Sequence, residues 1–440
     1  MDGQDKQDAG QAPRIVAFTK DWNDVPTCTT HILRIMGRTM PVLWIESIGT
    51  RKINPVIGKD WRRVWRRLRR AFSGAEIKEN QLRVLAPLVI PKAESRVGQW
   101  VNRRLIQWQI GRELRRMGNG PVEYWCFVPN AVDLLPRDKH GAPSAERQEN
   151  PHPTPPGRGV QEDPTPLPSK SPSLITGHSL RIVYYCVDDW SQFHNLDGAW
   201  LARKENELLR RADVVFAASR FLVEKCRRIA GDRVVYMSHG VDHALFAQAL
   251  DPAMKEPQDL APISHPRIGF YGNLHPWVDL EVVGSLAEGH PEWQFVLIGE
   301  IYCDVTRISS LPNVHLLGRR EHRQLPAYCK GFDVAIIPYD MTQSRMESVN
   351  PVKTKELLAA GIPVVAADIP ELRGMGADVR ICKTRVEWTG AIACQLEGRD
   401  RLAISCRVLS EGWVVKVGMM RKEVKESCLV TEETGDGELE

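Results

Sequence analysis

This chain of 440 residues contains no long hydrophobic run, no close cysteine pair and no large surplus of either charge. Without a stretch of about 20 apolar residues, a bilayer-crossing helix is not expected. The segment from Met1 to Ala12 is polar and lacks the apolar core of a secretory leader. Ten cysteines are present, yet none makes a C-x-x-C pair, and several sit inside apolar runs where a thiol packs as a small hydrophobe. That scatter argues against a disulfide framework and a zinc site, and it suits a reducing, cytoplasmic compartment. A formal net charge of +4 is too small to argue for nucleic acid as a partner.

What is present is an alternation of short apolar runs with longer helical patterns, the signature of parallel α/β layers. In the first half the expected strands are Arg14–Phe18, Pro41–Glu46, Leu82–Ala86, Glu123–Val128, Ile182–Val187, Val214–Ala218 and Val234–Ser238. In the second half they are Arg267–Tyr271, Gln294–Ile298, Val314–Leu317, Asp333–Pro338, Pro363–Ala367 and Asp378–Cys382. A chain of this length exceeds what one core usually supports. Asp251 to His265, rich in proline and polar residues, divides the two sets. The expected units are an N-terminal domain over 1–250, a C-terminal domain over 266–400 and a tail over 401–440. Residues 137–179 are dense in proline and have no hydrophobic period, so they are expected to be a disordered insertion. In the tail, Glu411-Gly412-Trp413 followed by Val417 fits a last helix, ahead of an acidic, loose end from Thr431 to Glu440.

The run from Ser348 to Ala367, S-V-N-P-V-K-T-K-E-L-L-A-A-G-I-P-V-V-A-A, carries the most chemistry. Asn350-Pro351 opens a helix, Gly361 ends it, and Pro363 starts an apolar strand. Free amides at such a start can receive a diphosphate, with Lys353 or Lys355 within one turn. Glu356, one turn further in, can accept hydrogen bonds from a ribose diol. An ordinary capped αβ unit would have the same outline. Asp188 and Asp189 fall at the end of the strand Ile182–Val187. Such a pair can hold a sugar hydroxyl or accept a proton, or it can cap the turn that begins at Trp190-Ser191. His194 reads as structural.

Several ordered segments point to one family. They are Tyr184 to Trp190, Ala212 to Ser219, His239-Gly240-Val241-Asp242 with Phe246, Gly269 to Gly272, Phe295 to Gly299, Val314 to Gly318 and the run around Glu356. Together they resemble the retaining glycosyltransferases of family 4, in particular the teichuronic-acid and exopolysaccharide biosynthesis subgroup. The resemblance implies an α/β protein of two facing doubly wound Rossmann-like domains with a cleft between them, the architecture called GT-B. It implies a sugar moved from a UDP- or GDP-sugar to a glycan or lipid-linked acceptor, and a last helix that crosses back to the first domain. Asn350, Pro351, Val352 and Lys353 would hold the diphosphate, and Glu356 the ribose. Gly272, Asn273, Gly299 and Gly318 would face the nucleotide. Asp188 or Asp189 would serve the acceptor or the sugar, with Asp189 at the position that the family pattern favours.

The chain departs from the family twice. Many members carry an arginine and a lysine where this chain reads His275-Pro276-Trp277-Val278-Asp279, which leaves the diphosphate to helix amides, Lys353 and Arg345. Of the family's paired glutamates, Glu356 matches the second, while the first position is Ser348. No D-x-D triplet occurs, so a diphosphate held without metal is expected. A nucleotide-sugar epimerase of the same fold and a degenerate, non-catalytic scaffold are the rival readings.

Lys59 to Phe72 places Trp61, Val64, Trp65, Leu68 and Phe72 on one helical stripe, with arginines over the rest. A basic amphipathic helix with interfacial tryptophan binds anionic lipid. Trp61, Arg62, Trp65, Arg66 and Arg69 are therefore the expected contacts with the inner face of the plasma membrane, and no nucleic acid partner is expected. Arg103-Arg104 and Arg112 to Arg116, around Trp100 and Trp108, extend the same character.

Overall fold

The apolar runs become the strands of two sheets in a computed structural model that describes residues 12–22, 27–47, 74–87, 96–136, 180–192 and 197–433. The arginine–tryptophan run with Trp61, Arg62, Trp65, Arg66 and Arg69 lies outside the described residues, as do residues 137–179 and His194. The first sheet contains β1 (Arg14–Phe18), β2 (Val42–Ile45), β3 (Glu76–Glu79), β4 (Leu82–Leu85), β5 (Val122–Cys126), β6 (Leu180–Cys186), β7 (Val214–Ala217) and β8 (Val234–Tyr236). Its spatial order is β3-β4-β2-β1-β5-β6-β7-β8. Helices α1 (Cys28–Met36), α2 (Arg96–Arg116), α3 (Gly198–Arg211) and α4 (Arg220–Ala230) connect these strands.

Every pairing in this sheet is parallel except β3 with β4. Parallel strands are covered on both faces, which is why they read as unbroken apolar runs and are legible in the sequence. β3 is the strand that the apolar pattern does not predict. Its residues E-I-K-E lie at the sheet edge and are largely exposed, and the turn into β4 passes through Asn80 at φ 48°.

A short helix, α5 (His243–Phe246), leads into the second sheet. Its elements are β9 (Arg267–Tyr271), α6 (Leu280–Gly289), β10 (Gln294–Ile298), α7 (Thr306–Ser309), β11 (Val314–Leu316), α8 (Leu325–Lys330), β12 (Val334–Ile337), α9 (Val352–Ala359), β13 (Val364–Ala367) and β14 (Val379–Cys382). All six strands run parallel in the order β11-β10-β9-β12-β13-β14. Separate apolar clusters cover its two faces, one around Phe246, Phe332 and Leu357, the other around Val283, Phe295 and Ile392. In each sheet the strand order reverses beside the first strand, β1 or β9, and that reversal opens a crevice at the carboxyl ends of the strands.

After α10 (Glu387–Leu396) and α11 (Arg401–Arg407), the chain returns to the first domain as α12 (Trp413–Glu433). Trp413, Val417, Met420 and Val424 join the first apolar core. Arg181 donates to the Val424 carbonyl at 2.9 Å, and Arg421 pairs with Glu123. Helix α12 includes Thr431 to Glu433, so the helix extends further than the acidic composition predicts. Gly240 stands where the first domain hands over to the second, because a Cβ there would come within 2.6 Å of the Trp413 ring. We expect Trp413→Ala to cost about 3–5 kcal/mol through the cavity it leaves. Denaturant unfolding checks this, and a loss below about 1 kcal/mol would show that the crossing helix contributes little.

Candidate functional site

The turns that leave β9, β10 and β11 are laced together by their backbones. Gly272 N–H donates to the Ile298 carbonyl at 2.8 Å, Leu274 N–H to Glu300 at 2.8 Å, and Gly299 N–H to Gly318 at 3.0 Å. A Cβ at Gly299 would collide with the Gly272 carbonyl, so only glycine allows the two turns to approach this closely. Gly272 (φ 136°), Asn273, Gly299 and Gly318 (φ 71°) thus share one rim of the crevice.

Helix α9 starts at the cleft end of the neighbouring strand, and no side chain caps its first turn at Pro351 and Val352. Lys353, in that turn, sets its ammonium over Gly272, between the rings of Phe270 at 4.6 Å and Tyr339 at 5.3 Å. A Cβ on Gly272 would strike the Lys353 Nζ. Among the described residues Lys353 has no carboxylate partner. Lys355 turns away from the cleft. Its ammonium bonds Ser238 Oγ at 3.0 Å, the His239 carbonyl at 2.6 Å and Glu411, so of the two candidate lysines only Lys353 faces the crevice. Asn350 also looks elsewhere, donating to the Ala218 carbonyl of the first domain at 2.8 Å.

Glu356 is buried with both oxygens engaged. Tyr271 donates its hydroxyl to Oε2 at 2.8 Å, and His322 Nε2 approaches Oε1 at 2.8 Å. The bond to Glu356 raises the His322 pKa, against the opposing effect of burial. One lone pair on each oxygen remains for a further donor. Ser348 is buried, and its hydroxyl donates back to the Arg345 carbonyl at 2.9 Å, while the adjacent Glu347 is exposed. Among the described residues, no carboxylate takes the place of the first glutamate that the sequence resemblance leads one to expect.

The turn lacking the expected cations is served from elsewhere. Arg345 lies over the Trp277 ring at 4.4 Å, and Trp277 and Tyr302 both stack on His275, at 4.0 and 4.6 Å. Burial lowers the His275 pKa, and Arg345 and Lys353 add to the effect, which places both cations beside this turn. Asp279 caps α6 by accepting from Val282 N–H at 3.0 Å, a structural role.

The two aspartates separate sharply. Asp189 accepts from Ser191 N–H at 3.2 Å, Ser191 Oγ at 2.7 Å and Lys225 Nζ at 2.8 Å, and Lys225 is shared with Glu205 at 2.7 Å. Burial opposes its ionisation, but the bonds from Lys225 and Ser191 outweigh it and hold the carboxyl below its usual range. Capping describes Asp189. Burial instead pushes Asp188 up to about 6, with Arg345 across the cleft working against the shift and Asp189 adding to it. Asp188, not Asp189, is the carboxylate left available.

Sequence reasoning did not single out His31, Tyr271 or His322. His31, on α1, stacks flat on Trp413 at 5.5 Å, and burial lowers its pKa while Asp242, His322 and Glu356 lie within electrostatic reach. Tyr271 and His322 meet at Glu356 within the second domain, and His31 comes near them from the first; residues so far apart in sequence leave no local pattern.

The Asp188 shift has a thermodynamic sign. A carboxyl whose folded pKa is raised supports folding while protonated, and that support disappears as pH climbs from 3.8 through about 6. Asp188→Asn is expected to raise the melting temperature at pH 8 and to change it much less at pH 4. Equal shifts at both pH values would show that this carboxyl is not perturbed.

Residues 265–393, from β9 into α10, match the family described as Glycosyl transferases group 1. Over 216 residues the chain is 27% identical to a Bacillus subtilis (strain 168) protein provisionally named teichuronic acid biosynthesis glycosyltransferase TuaH. That alignment covers 44% of this chain and 52% of the relative, so the chain spans about half the length of the curated relative it matches. Among solved structures, HepE of Anabaena in complex with UDP is similar at 13% identity with a TM-score of 0.58, covering 94% of this chain and 100% of that one. The catalytic domain of starch synthase IV from Arabidopsis thaliana, bound to ADP and acarbose, is similar at 11% identity with a TM-score of 0.59, covering 95% and 99%. Trehalose 6-phosphate synthase from Burkholderia multivorans is similar at 9% identity with a TM-score of 0.57, covering 96% and 100%. The fold is GT-B, two facing doubly wound Rossmann-like domains, and its second domain carries a glycosyl transferases group 1 segment.

Proposed function

We propose that the chain is a glycosyltransferase that moves a sugar from a UDP- or GDP-sugar to a glycan or lipid-linked acceptor in cell-surface polysaccharide biosynthesis, with retention at the anomeric carbon. It would work in the cytoplasm, peripherally at the inner face of the plasma membrane. The observation that carries this reading is the Lys353 ammonium set over Gly272 at the uncapped start of α9. A cation without a carboxylate partner, beside free helix amides and close-packed glycine turns, is suited to a diphosphate. The group 1 segment and the UDP complex of HepE support a nucleoside diphosphate there.

In this reading the diphosphate rests on the amides of Val352 and Lys353, and the Lys353 and Arg345 cations stabilise the charge that grows as the nucleoside diphosphate leaves. The remaining lone pairs of Glu356 take the ribose hydroxyls, and the bonds from Tyr271 and His322 hold the carboxylate in place. Asp188, with its pKa near 6, is ionised at neutral pH and more basic than an ordinary aspartate, so it can take the proton of an acceptor hydroxyl. The donor is held by lysine and helix dipole, without a metal. One observation favours a second reading: Ser348 fills the first glutamate position and spends its hydroxyl on its own turn. A non-catalytic scaffold would then bind donor without turning it over.

Nucleoside diphosphate release from a panel of UDP- and GDP-sugars, with and without lipid extract, separates the readings. Release that requires acceptor lipid supports the transferase, binding without release the scaffold, and donor consumed without release an epimerase. Lys353→Ala is expected to weaken donor binding roughly ten- to a hundredfold. Asp188→Asn should lower kcat by about 10²–10⁴ with donor affinity little changed. In the parent, kcat/KM should rise with pH through about 6, and Asp188→Asn should abolish that limb. A chelator is expected to leave the rate unchanged.

A further inference from the structure

Helix α2 presents two very different faces. Ile106, Ile110, Glu113 and Met117 are buried against the first domain. On the opposite side Val97, Trp100 and Trp108 are 71%, 54% and 55% exposed, and Arg104 and Arg115 are exposed between and beyond them. At 3.6 residues per turn, Val97, Trp100, Arg104, Trp108 and Arg115 fall within a strip about 80° wide. The Arg104 guanidinium lies over Trp100 at 5.5 Å, and that of Arg112 over Trp108 at 5.3 Å.

The charge on this helix is one-sided. Its only acid, Glu113, points inward and is held by Arg83, Arg112 and Arg116 at 4.0, 3.3 and 2.9 Å. The outward strip carries cations and no anion. Two half-exposed tryptophans are poorly served by water alone, since an indole is a large apolar body with a single donor. The headgroup layer of a bilayer serves both parts, and anionic headgroups would supply the partners that Arg104 and Arg115 lack among the described residues.

Topology sets the orientation. Strands β4 and β5 belong to the parallel part of the sheet, so the helix between them starts beside their carboxyl ends and runs back. Trp100 therefore lies in the half of α2 nearer the cleft. We propose that the outward strip of α2, led by Trp100, Arg104 and Trp108, docks the first domain on an anionic phospholipid surface, with Trp100 touching the bilayer in the half of the helix nearer the cleft. This rests on the transferase reading only for its purpose, the delivery of a lipid-linked acceptor to Asp188.

The test uses the full chain in flotation with vesicles of phosphatidylglycerol and phosphatidylcholine, against phosphatidylcholine alone. Binding is expected to the anionic vesicles only, and to weaken as salt is added. Arg104→Ala with Arg115→Ala should lower partitioning by roughly fivefold per arginine. Trp100→Ala with Trp108→Ala should reduce, relative to the parent, the quenching of tryptophan fluorescence by brominated lipid. Melting temperature and UDP-sugar binding in solution should stay at parent values in both. Parent-like flotation of both double variants would overturn the proposal, as would no flotation of the parent, or loss in the variants of oligonucleotide binding in place of vesicle binding. Vesicle binding by a chain that binds no donor would sink the transferase reading and leave the docking surface supported.

Discussion

A lysine ammonium taken out of water must find several oxygens at once or forfeit its charge. Lys355 finds them on both sides of the junction between domains: Ser238 and His239 where the first domain ends, and Glu411 where the chain returns. Burial lowers the Lys355 pKa, and Glu411 works against that shift. His239, pressed beside it, is pushed down to about 3 by burial and by the Lys355 charge, so it adds no second cation. The same two turns of α9 carry Lys353 and Glu356 toward the cleft. One short helix therefore holds the ligand-facing groups on one side and the interdomain bolt on the other. Asn350 donating to the Ala218 carbonyl, and the Tyr236 hydroxyl donating to Glu371 at 2.8 Å, add stitches along the same seam. The position of Asp188 relative to Lys353 is set by this seam and not by either domain alone.

Much of the architecture was legible because parallel strands are buried on both faces, and an apolar run such as Val364-Val365-Ala366-Ala367 announces itself. β3 escaped because an exposed edge strand has no core to advertise. The site was legible to the level of segments but not of side chains. The run around Lys353 and Glu356 pointed to the helix that carries the candidate site, yet nothing in K-T-K says which lysine turns inward; that depends on Glu411, dozens of residues away. Asp188 and Asp189 are neighbours in sequence, and only Lys225 and Ser191 decide which of them is consumed by structure.

The substitution of His275-Pro276-Trp277 for a cationic turn illustrates how charge can be supplied by a different route. Trp277 provides a π face on which the Arg345 guanidinium rests, and the stack continues through His275 to Tyr302. An arginine borne by a separate loop thus reaches the turn where the local sequence offers none. Planar stacking suits guanidinium better than ammonium, which is consistent with arginine at this place and lysine over Gly272.

The unpredicted β3 has its own bearing on how the molecule behaves among its copies. Open sheets end in rows of unpaired amides and carbonyls that can recruit a strand from another molecule. Here that margin is a strand only four residues long, E-I-K-E, charged at three positions and closed on its inner side by the hairpin to β4. Lys78 pairs with Glu76 at 2.5 Å, and Glu79 with Arg34 at 3.1 Å, so an incoming strand would have to dislodge ion pairs and strip water from charges. An awkward little strand with no core role acts as a guard against edge-to-edge polymerisation.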